Sequence, residues 1–255
     1  MDFIGKLGKY KIIETEDQTK TLWSEFFNEN CHNLSGAYEE TFYNYIQGCH
    51  IPDQILNEKE IHVLDVGFGL GIGLRAYIDE IKKHANIKNK IFTYTSMELD
   101  EDLFLWSIKE NFPQLIFEKK TYYYISEYQL NEITLTIKVF IGDGRLTLPR
   151  ASKENLIPKF SAIFQDAFSP KKNPTLWTCE WFNDLKMMSL NEVYLSTYSS
   201  SVSIRKSMIA AGWIIANQKG FGQKRTMTKA RLIGEIDPSL AAELSRSPTL
   251  ELKDT

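Results

Sequence analysis

Four carboxylates in this 255-residue chain stand at, or just past, the ends of apolar runs. Asp65 follows Ile61-His62-Val63-Leu64, Glu98 closes the run 91–97, Asp143 lies in Gly142-Asp143-Gly144-Arg145 after the run 133–141, and Asp166 closes 160–165. Such runs read as strands of a mostly parallel sheet, and an acid at the strand tip points into the crevice where these sheets hold ligands. A carboxylate offers two acceptor oxygens and no donor, which suits hydroxyl, amino and ammonium groups. Glu98 is placed to accept from both hydroxyls of a ribose, with Asp100 as second choice and a solvated strand-end acid as the plain reading. Asp143 is placed to accept from an adenine amino group, and turn chemistry accounts for the same residues without a ligand. Asp166 leads into Ala167-Phe168-Ser169-Pro170-Lys171-Lys172-Asn173-Pro174 and is the catalytic candidate; a buried Asp capping the next turn is the alternative.

The stretch that must position these groups is Asp65-Val66-Gly67-Phe68-Gly69-Leu70-Gly71. Glycines there permit a sharp bend and let a ligand lie against exposed N–H groups at a helix start. A helix does follow in the pattern: Leu74, Tyr77, Ile78 and Ile81 recur at helical spacing, leaving Arg75, Asp79, Glu80, Lys82 and Lys83 for water. The dinucleotide fingerprint requires its last glycine at position 72, which is Ile72, so NAD fits imperfectly. The observed spacing resembles the first motif of class I S-adenosylmethionine-dependent methyltransferases, whose glycine loop faces the cofactor's amino-acid end. A glycine turn made only for packing is the other reading.

Elsewhere the chain supplies supporting elements. Residues 1–20 read as an edge strand or short hairpin around Tyr10-Lys11-Ile12-Ile13. Trp23, Phe26 and Phe27 lead to Ser35-Gly36-Ala37-Tyr38-Glu39-Glu40-Thr41-Phe42-Tyr43, either a helix packing aromatics on the sheet edge or a lid over a substrate pocket that includes Glu40 and Tyr43. Residues 101–112 form a helix stopped by Pro113, and 121–141 a hairpin of two strands. Trp177, Trp181, Phe182, Leu185 and Met188 make a helical apolar stripe; strands follow at 192–198, 213–216 and 226–233, with a helix ending at Gly212 between the first two. The last twenty residues read as a weak helix and a loose tail.

A net charge of −3 means that a nucleic-acid partner requires a local basic patch. The strongest is Lys219-Gly220-Phe221-Gly222-Gln223-Lys224-Arg225 with Lys229 and Arg231, five cations within thirteen positions and no acid. A solvated face explains many such runs, whereas an aromatic framed by glycines suits phosphate contact and base stacking. Cys31, Cys49 and Cys179 are scattered and odd in number, and the four histidines add no ligand spacing, so neither a disulfide framework nor a metal is expected. No apolar run of about 18 residues and no signal-like N-terminus is present, which predicts a cytoplasmic protein without a membrane span.

Taken together, Gly36-Ala37-Tyr38-Glu39-Glu40-Thr41, the glycine loop, Phe164-Gln165-Asp166-Ala167-Phe168-Ser169-Pro170-Lys171-Lys172-Asn173-Pro174-Thr175-Leu176-Trp177 and Lys219-Gly220-Phe221-Gly222-Gln223-Lys224-Arg225-Thr226-Met227 resemble the methyltransferase half of the MnmC family. Ala167 departs from the glycine usual there, and Gly144-Arg145 follow Asp143 where members vary. The resemblance implies an α/β class I fold, a mostly parallel seven-stranded sheet with helices on both faces, a hairpin insertion, and three segments: 1–57 as extension or lid, 58–235 as the methyltransferase domain, and 236–255 as tail. It implies S-adenosylmethionine held by Asp65, Gly67, Phe68, Gly69, Gly71, Glu98, Asp143 and Asp166. It implies methyl transfer to the primary amine of 5-aminomethyl-(2-thio)uridine at the tRNA wobble position, with a separate FAD-dependent oxidase or another enzyme supplying the amine. Asp166 would position the amine and take its proton. Glu40, Tyr43, Phe168, Lys171 and Lys172 would contact substrate, and Lys219, Phe221, Lys224 and Arg225 the anticodon arm. Methylation of a small-molecule or protein amine, or a non-catalytic binding module of the same fold, are the competing readings.

Overall fold

The computed structural model describes residues 2–32, 34–84, 87–222 and 225–254. The chain opens with four antiparallel strands, β1 (Asp2–Gly5), β2 (Gly8–Glu14), β3 (Lys20–Ser24) and β4 (Glu29–Asn30), paired in sequence order as a small separate sheet. The expected hairpin around Tyr10–Ile13 is β1–β2, extended here by β3 and β4, while Trp23 lies on β3 facing Asn30 and Lys11 across the sheet rather than on a helix. Helix begins only at α1 (Ala37–Thr41), runs on as a π-helical turn through Phe42–Gln47, and resumes as α2 (Ile51–Asn57).

The main sheet follows as β5 (Glu60–Val66), α3 (Ile72–Lys83), β6 (Ile91–Glu98), α4 (Glu101–Asn111), β7 (Glu118–Lys119), β8 (Tyr123–Leu130), β9 (Ile133–Ile141), α5 (Gly144–Lys153) and β10 (Phe160–Phe164). A 3₁₀ turn at Pro174–Trp177 precedes α6 (Cys179–Met187), β11 (Ser189–Thr197), α7 (Val202–Ala210), β12 (Ile214–Lys219), β13 (Thr226–Arg231) and α8 (Pro238–Arg246). Strand order is β12-β13-β11-β10-β5-β6-β9-β8-β7, parallel from β9 through β11 and antiparallel at both margins. The sheet therefore has nine strands where seven were expected: β8 and the short β7 extend it beyond β9, because the tyrosine-rich segment and 133–141 form one continuous hairpin.

Both faces are covered. Val63, Ala162 and Phe164 pack into one apolar cluster with residues of α2, α3 and α4, while their neighbours Leu64 and Ile163 join a second cluster with residues of α5, α6, α7 and α8. Strand alternation between two clusters explains why these runs are apolar at every position. From β5 the chain builds outward through β6 to β9, then returns to β10 on the other side of β5. That reversal puts the topological switch point between β5 and β10, where doubly wound sheets open a ligand crevice.

The C-terminal tail is not loose. Leu240 and Leu244 of α8 are buried, Leu252 exchanges hydrogen bonds with Cys179 N–H and the Ser207 hydroxyl, and Asp254 pairs with Arg145.

Candidate active site

At the switch point lie two adjoining chambers. The first, of about 320 Å³, lies over the glycine loop and is lined by Asp65, Gly67, Phe68, Gly69, Glu98 and Asp143 together with Asp166, Phe168 and Lys172. Its outer wall comes from the N-terminal sheet and the turn after β3: Tyr10, Phe26, Phe27, Cys31 and His32. The second, of about 330 Å³, is lined by Glu29, Asn30, Glu40, Thr41, Asn44, Tyr45 and Tyr198. Cys31, His32, Asp166, Ala167 and Phe168 line both, so the carboxylate at the end of β10 stands where the chambers meet. β10 ends at Phe164, two residues earlier than the sequence suggests, and Gln165 and Asp166 are the first loop residues.

Asp166 is held on both sides. The Tyr45 hydroxyl donates to its Oδ1 at 2.5 Å, and His32 Nε2 is 3.8 Å from its Oδ2. Burial lowers the His32 pKa to about 4 against the opposing pull of Glu40 and Asp17, so this contact is not an ion pair at neutral pH. The Thr21 hydroxyl accepts from the His32 N–H (3.2 Å) and lies 3.1 Å from Nδ1. With that hydroxyl donating to Nδ1, the ring hydrogen sits on Nε2 and faces Asp166. Burial raises the Tyr45 pKa far above the usual phenol range, helped by the Asp166 charge, so Tyr45 remains a donor.

The other strand-end acids divide the work. Glu98 accepts from Gly69 N–H (2.9 Å) and Asp100 N–H (3.1 Å), which pins the glycine loop to the tip of β6. The Leu99 backbone also donates to Glu98, so three of its roughly four acceptor sites are used and capacity remains for a ligand hydroxyl. Asp65 lies under the loop with Tyr94 donating to it. Burial pushes both acids up to about 7, working against the hydrogen bonds they accept. Asp143 caps α5 by accepting from Arg145 N–H at 2.9 Å, yet it still lines the first chamber, so the capping and ligand readings coexist. Asp100 is spoken for: it caps α4 and accepts from Lys6 N–H, Leu7 N–H and the Tyr10 hydroxyl.

Several expected site residues lie elsewhere. Gly71 starts α3 at φ 74° and packs against Phe112 and Phe68 outside both chambers. The Tyr43 hydroxyl donates to the Lys219 carbonyl (2.9 Å) and its ring stands 6.0 Å from Phe221, so this trio forms a surface contact away from the chambers. Lys171 and Arg225 are exposed and line neither chamber, and Lys224 lies outside the described residues. The basic run is also not one patch. Lys219 pairs with Thr226 and Lys229 with Ala216, so strand alternation sends Lys219 and Lys229 to opposite faces. Lys229 is half-buried beside His50 Nε2 at 3.3 Å. Phe168 stacks on Phe27 (4.1 Å), so the turn after β3 walls the first chamber, while Glu40, Thr41, Asn44 and Tyr45 of the segment at 37–47 line the second. No local pattern marks Tyr45 and His32, which reach Asp166 only through tertiary approach, or Asn44, which lines the second chamber.

A family model described as S-adenosyl-L-methionine-dependent methyltransferase matches residues 107–233. An uncharacterized protein, MJ0670, from Methanocaldococcus jannaschii is 28% identical over 254 residues, covering 92% of this chain and 65% of that protein. The tRNA 5-methylaminomethyl-2-thiouridine biosynthesis bifunctional protein MnmC of Paraburkholderia phymatum is 26% identical over 233 residues, covering 86% of this chain and 34% of that protein. The chain thus spans about a third of the length of that MnmC relative. The crystal structure of MnmC2 from Aquifex aeolicus superposes with a TM-score of 0.74 at 29% identity, covering 96% of this chain and 79% of that one.

Proposed function

Since this chain is an MnmC-like, S-adenosyl-L-methionine-dependent methyltransferase, we propose that it methylates the primary amine of 5-aminomethyl-(2-thio)uridine at the wobble position of tRNA. The observation that carries this reading is the position of Asp166, on the wall common to a cofactor-sized chamber and a second chamber rich in acceptors. The first chamber fits the cofactor by the chemistry of its lining. Glu98 and Asp143 supply acceptors for ribose hydroxyls and an adenine amino group, Asp65 and Asp166 supply negative charge for a cationic amino-acid end, and Gly69 leaves its surroundings open, with no atom within 4 Å of a Cβ built there. Gly67 and Phe68 complete the cradle.

Bound there, S-adenosylmethionine supplies an electrophilic methyl group on a sulfonium. The chain's own residues must then deliver a neutral amine along the attack line. Asp166 accepts an N–H of the amine and takes up the proton, while Tyr45 and His32 keep its carboxylate turned to the junction. Little charge develops that an oxyanion hole could stabilise, so positioning is the larger contribution. Phe168, clamped by Phe27 and by the Trp177 indole donating to its carbonyl, shields the junction from water. Glu40 lines the acceptor side, and Lys172 stands at the mouth of the cofactor chamber. Lys171, Lys219, Phe221 and Arg225 are the surface groups offered to the anticodon arm, with a separate oxidase or another upstream enzyme supplying the amine. On this reading the protein acts where tRNA is modified, in the cytoplasm; among the described residues no helix is long and apolar enough to cross a membrane.

Mass spectrometry of wobble nucleosides from cells lacking the protein tests this reading. Accumulation of the unmethylated aminomethyl nucleoside is the expected result; an unchanged nucleoside profile would count against the tRNA substrate.

A further inference from the structure

Part of the wall of the first chamber comes from two connections rather than from strands. Gly142 and Asp143 follow β9, and Asn173, Pro174 and Thr175 lie between β10 and α6. Strands β5 and β6 stand between β9 and β10 in the sheet, so no strand ladder ties the two connections directly. Arg145 does tie them. Its backbone N–H donates to Asp143 Oδ1 at 2.9 Å and orients that carboxylate, while its Nη1 donates to the Thr175 carbonyl at 3.2 Å and to Thr178 Oγ1 at 3.4 Å. One residue holds the acid of the first connection and the backbone of the second.

An arginine side chain is long and flexible, and this one is fixed by a segment distant in sequence. Both oxygens of Asp254 accept from the guanidinium, one from each terminal nitrogen, in the fork geometry that distinguishes arginine from lysine. The Arg145 side chain is only 18% exposed, so the pair acts through its geometry more than an open surface pair would. Asp254 is itself held in place. Its N–H donates to Glu180 Oε2 at 3.0 Å, Cys179 N–H donates to the Leu252 carbonyl at 2.8 Å, and Leu252 N–H donates to the Ser207 hydroxyl at 2.8 Å. Leu252 also packs on the apolar cluster that includes residues of α6 and α7.

We propose that Arg145 is a positioning residue for the purine end of the cofactor, and that residues 252–254 form a strap that sets it through Asp254. This rests on the reading of Asp143 as acceptor for the adenine amino group and deepens it. Arg145 does not line the chamber, so it acts through the two connections that do. It fixes their separation, and with it the distance at which Asp143 meets an amino group at position 6 of a purine. Without the strap both connections remain, but the gap between them can widen, and the hydrogen bond to that amino group weakens first.

The test titrates the full chain calorimetrically with 5′-methylthioadenosine and with 5′-methylthioinosine, which share ribose and thioether and differ at purine position 6, an amino donor against an oxygen acceptor. The wild-type chain is expected to prefer the adenine compound by at least about tenfold, the scale of one hydrogen bond to a charged acceptor. Asp254→Asn and Arg145→Lys remove the fork while keeping polar side chains of similar length, and each should reduce the preference to about threefold or less. A preference that survives undiminished in the variants overturns the strap and leaves Asp143 as the acceptor. Equal loss of affinity for both compounds, with their ratio kept, also overturns it, because a contact that only stabilises the fold would act in that way. Either variant decides alone if the other fails to fold. No preference in the wild-type chain, or no binding of either compound, removes the reading of Asp143 and the proposal with it.

Discussion

Gly69 and Gly71 belong to one motif and do different things. Gly69 has φ 52° and open space where a Cβ would go, whereas a Cβ on Gly71 would meet Phe112 at 2.6 Å and Phe68 at 2.9 Å. Gly71→Ala should therefore lower stability by about 2 kcal/mol or more with little change in cofactor affinity measured on the folded fraction. Gly69→Ala should cost about 1 kcal/mol of stability but weaken the cofactor more, because its methyl enters the ligand's space. Melting curves and calorimetry on the two variants check this, and the reverse pattern would contradict it. Asp65 and Glu98, both at about 7 in the fold, predict a pH dependence. Their unfolded values lie near 4, so the folded chain holds extra protons between about pH 4 and 7, and stability falls as pH rises through that window. A cationic ligand with hydroxyl donors favours the ionised acids. Cofactor affinity should then rise from pH 6 to pH 8 with proton release on binding, measurable in buffers of different ionisation enthalpy; proton uptake would refute it. The four acids were legible because each ends or follows an apolar run. Tyr45 was not, since it meets Asp166 across 121 residues of sequence.

Elements carry a second kind of information. Asp100 joins three of them: it caps α4 through Asp102 and Leu103 N–H and takes the Lys6 and Leu7 N–H groups and the Tyr10 hydroxyl from the N-terminal sheet. Burial raises its pKa, but these five donors outweigh burial and hold it below the usual carboxylate value. Its stabilisation is therefore present above about pH 4 and is lost as pH falls through the depressed folded value. Asp100→Ala should cost about 2–4 kcal/mol. Hydrogen exchange should accelerate in residues 2–14 well before β5, β6 or β10; uniform acceleration would show that Asp100 is not a latch. The parallel strands and their helices could be read from period and capping. Residues 21–30 could not, because Trp23, Phe26 and Phe27 fit a helical stripe as well as a strand and its turn, and only packing over the glycine loop decides between them. The count of sheet strands failed for a related reason: whether a hairpin closes on itself or joins a sheet edge depends on β9, which belongs to both.

At the scale of the whole molecule, a net charge of −3 and cations spread over opposite faces of β12 and β13 limit phosphate contact. Binding of tRNA should show a log–log salt slope of about −2 to −4, corresponding to a few neutralised phosphates, and filter binding between low and moderate salt reads it directly. Charge reversal at Arg225 should reduce the slope by about one unit without altering methyl transfer to the free nucleoside, while an unchanged slope would move the RNA to another face. The two chambers meet at the Asp166 carboxylate, and methyl transfer depends on that junction. The most direct test is single-turnover methyl transfer to aminomethyl-bearing tRNA by Asp166→Asn, with S-adenosylmethionine affinity measured on the same preparation. The expected result is a rate reduced by at least about 10²-fold, far more than any loss of cofactor affinity; a rate close to that of the wild-type chain would contradict it.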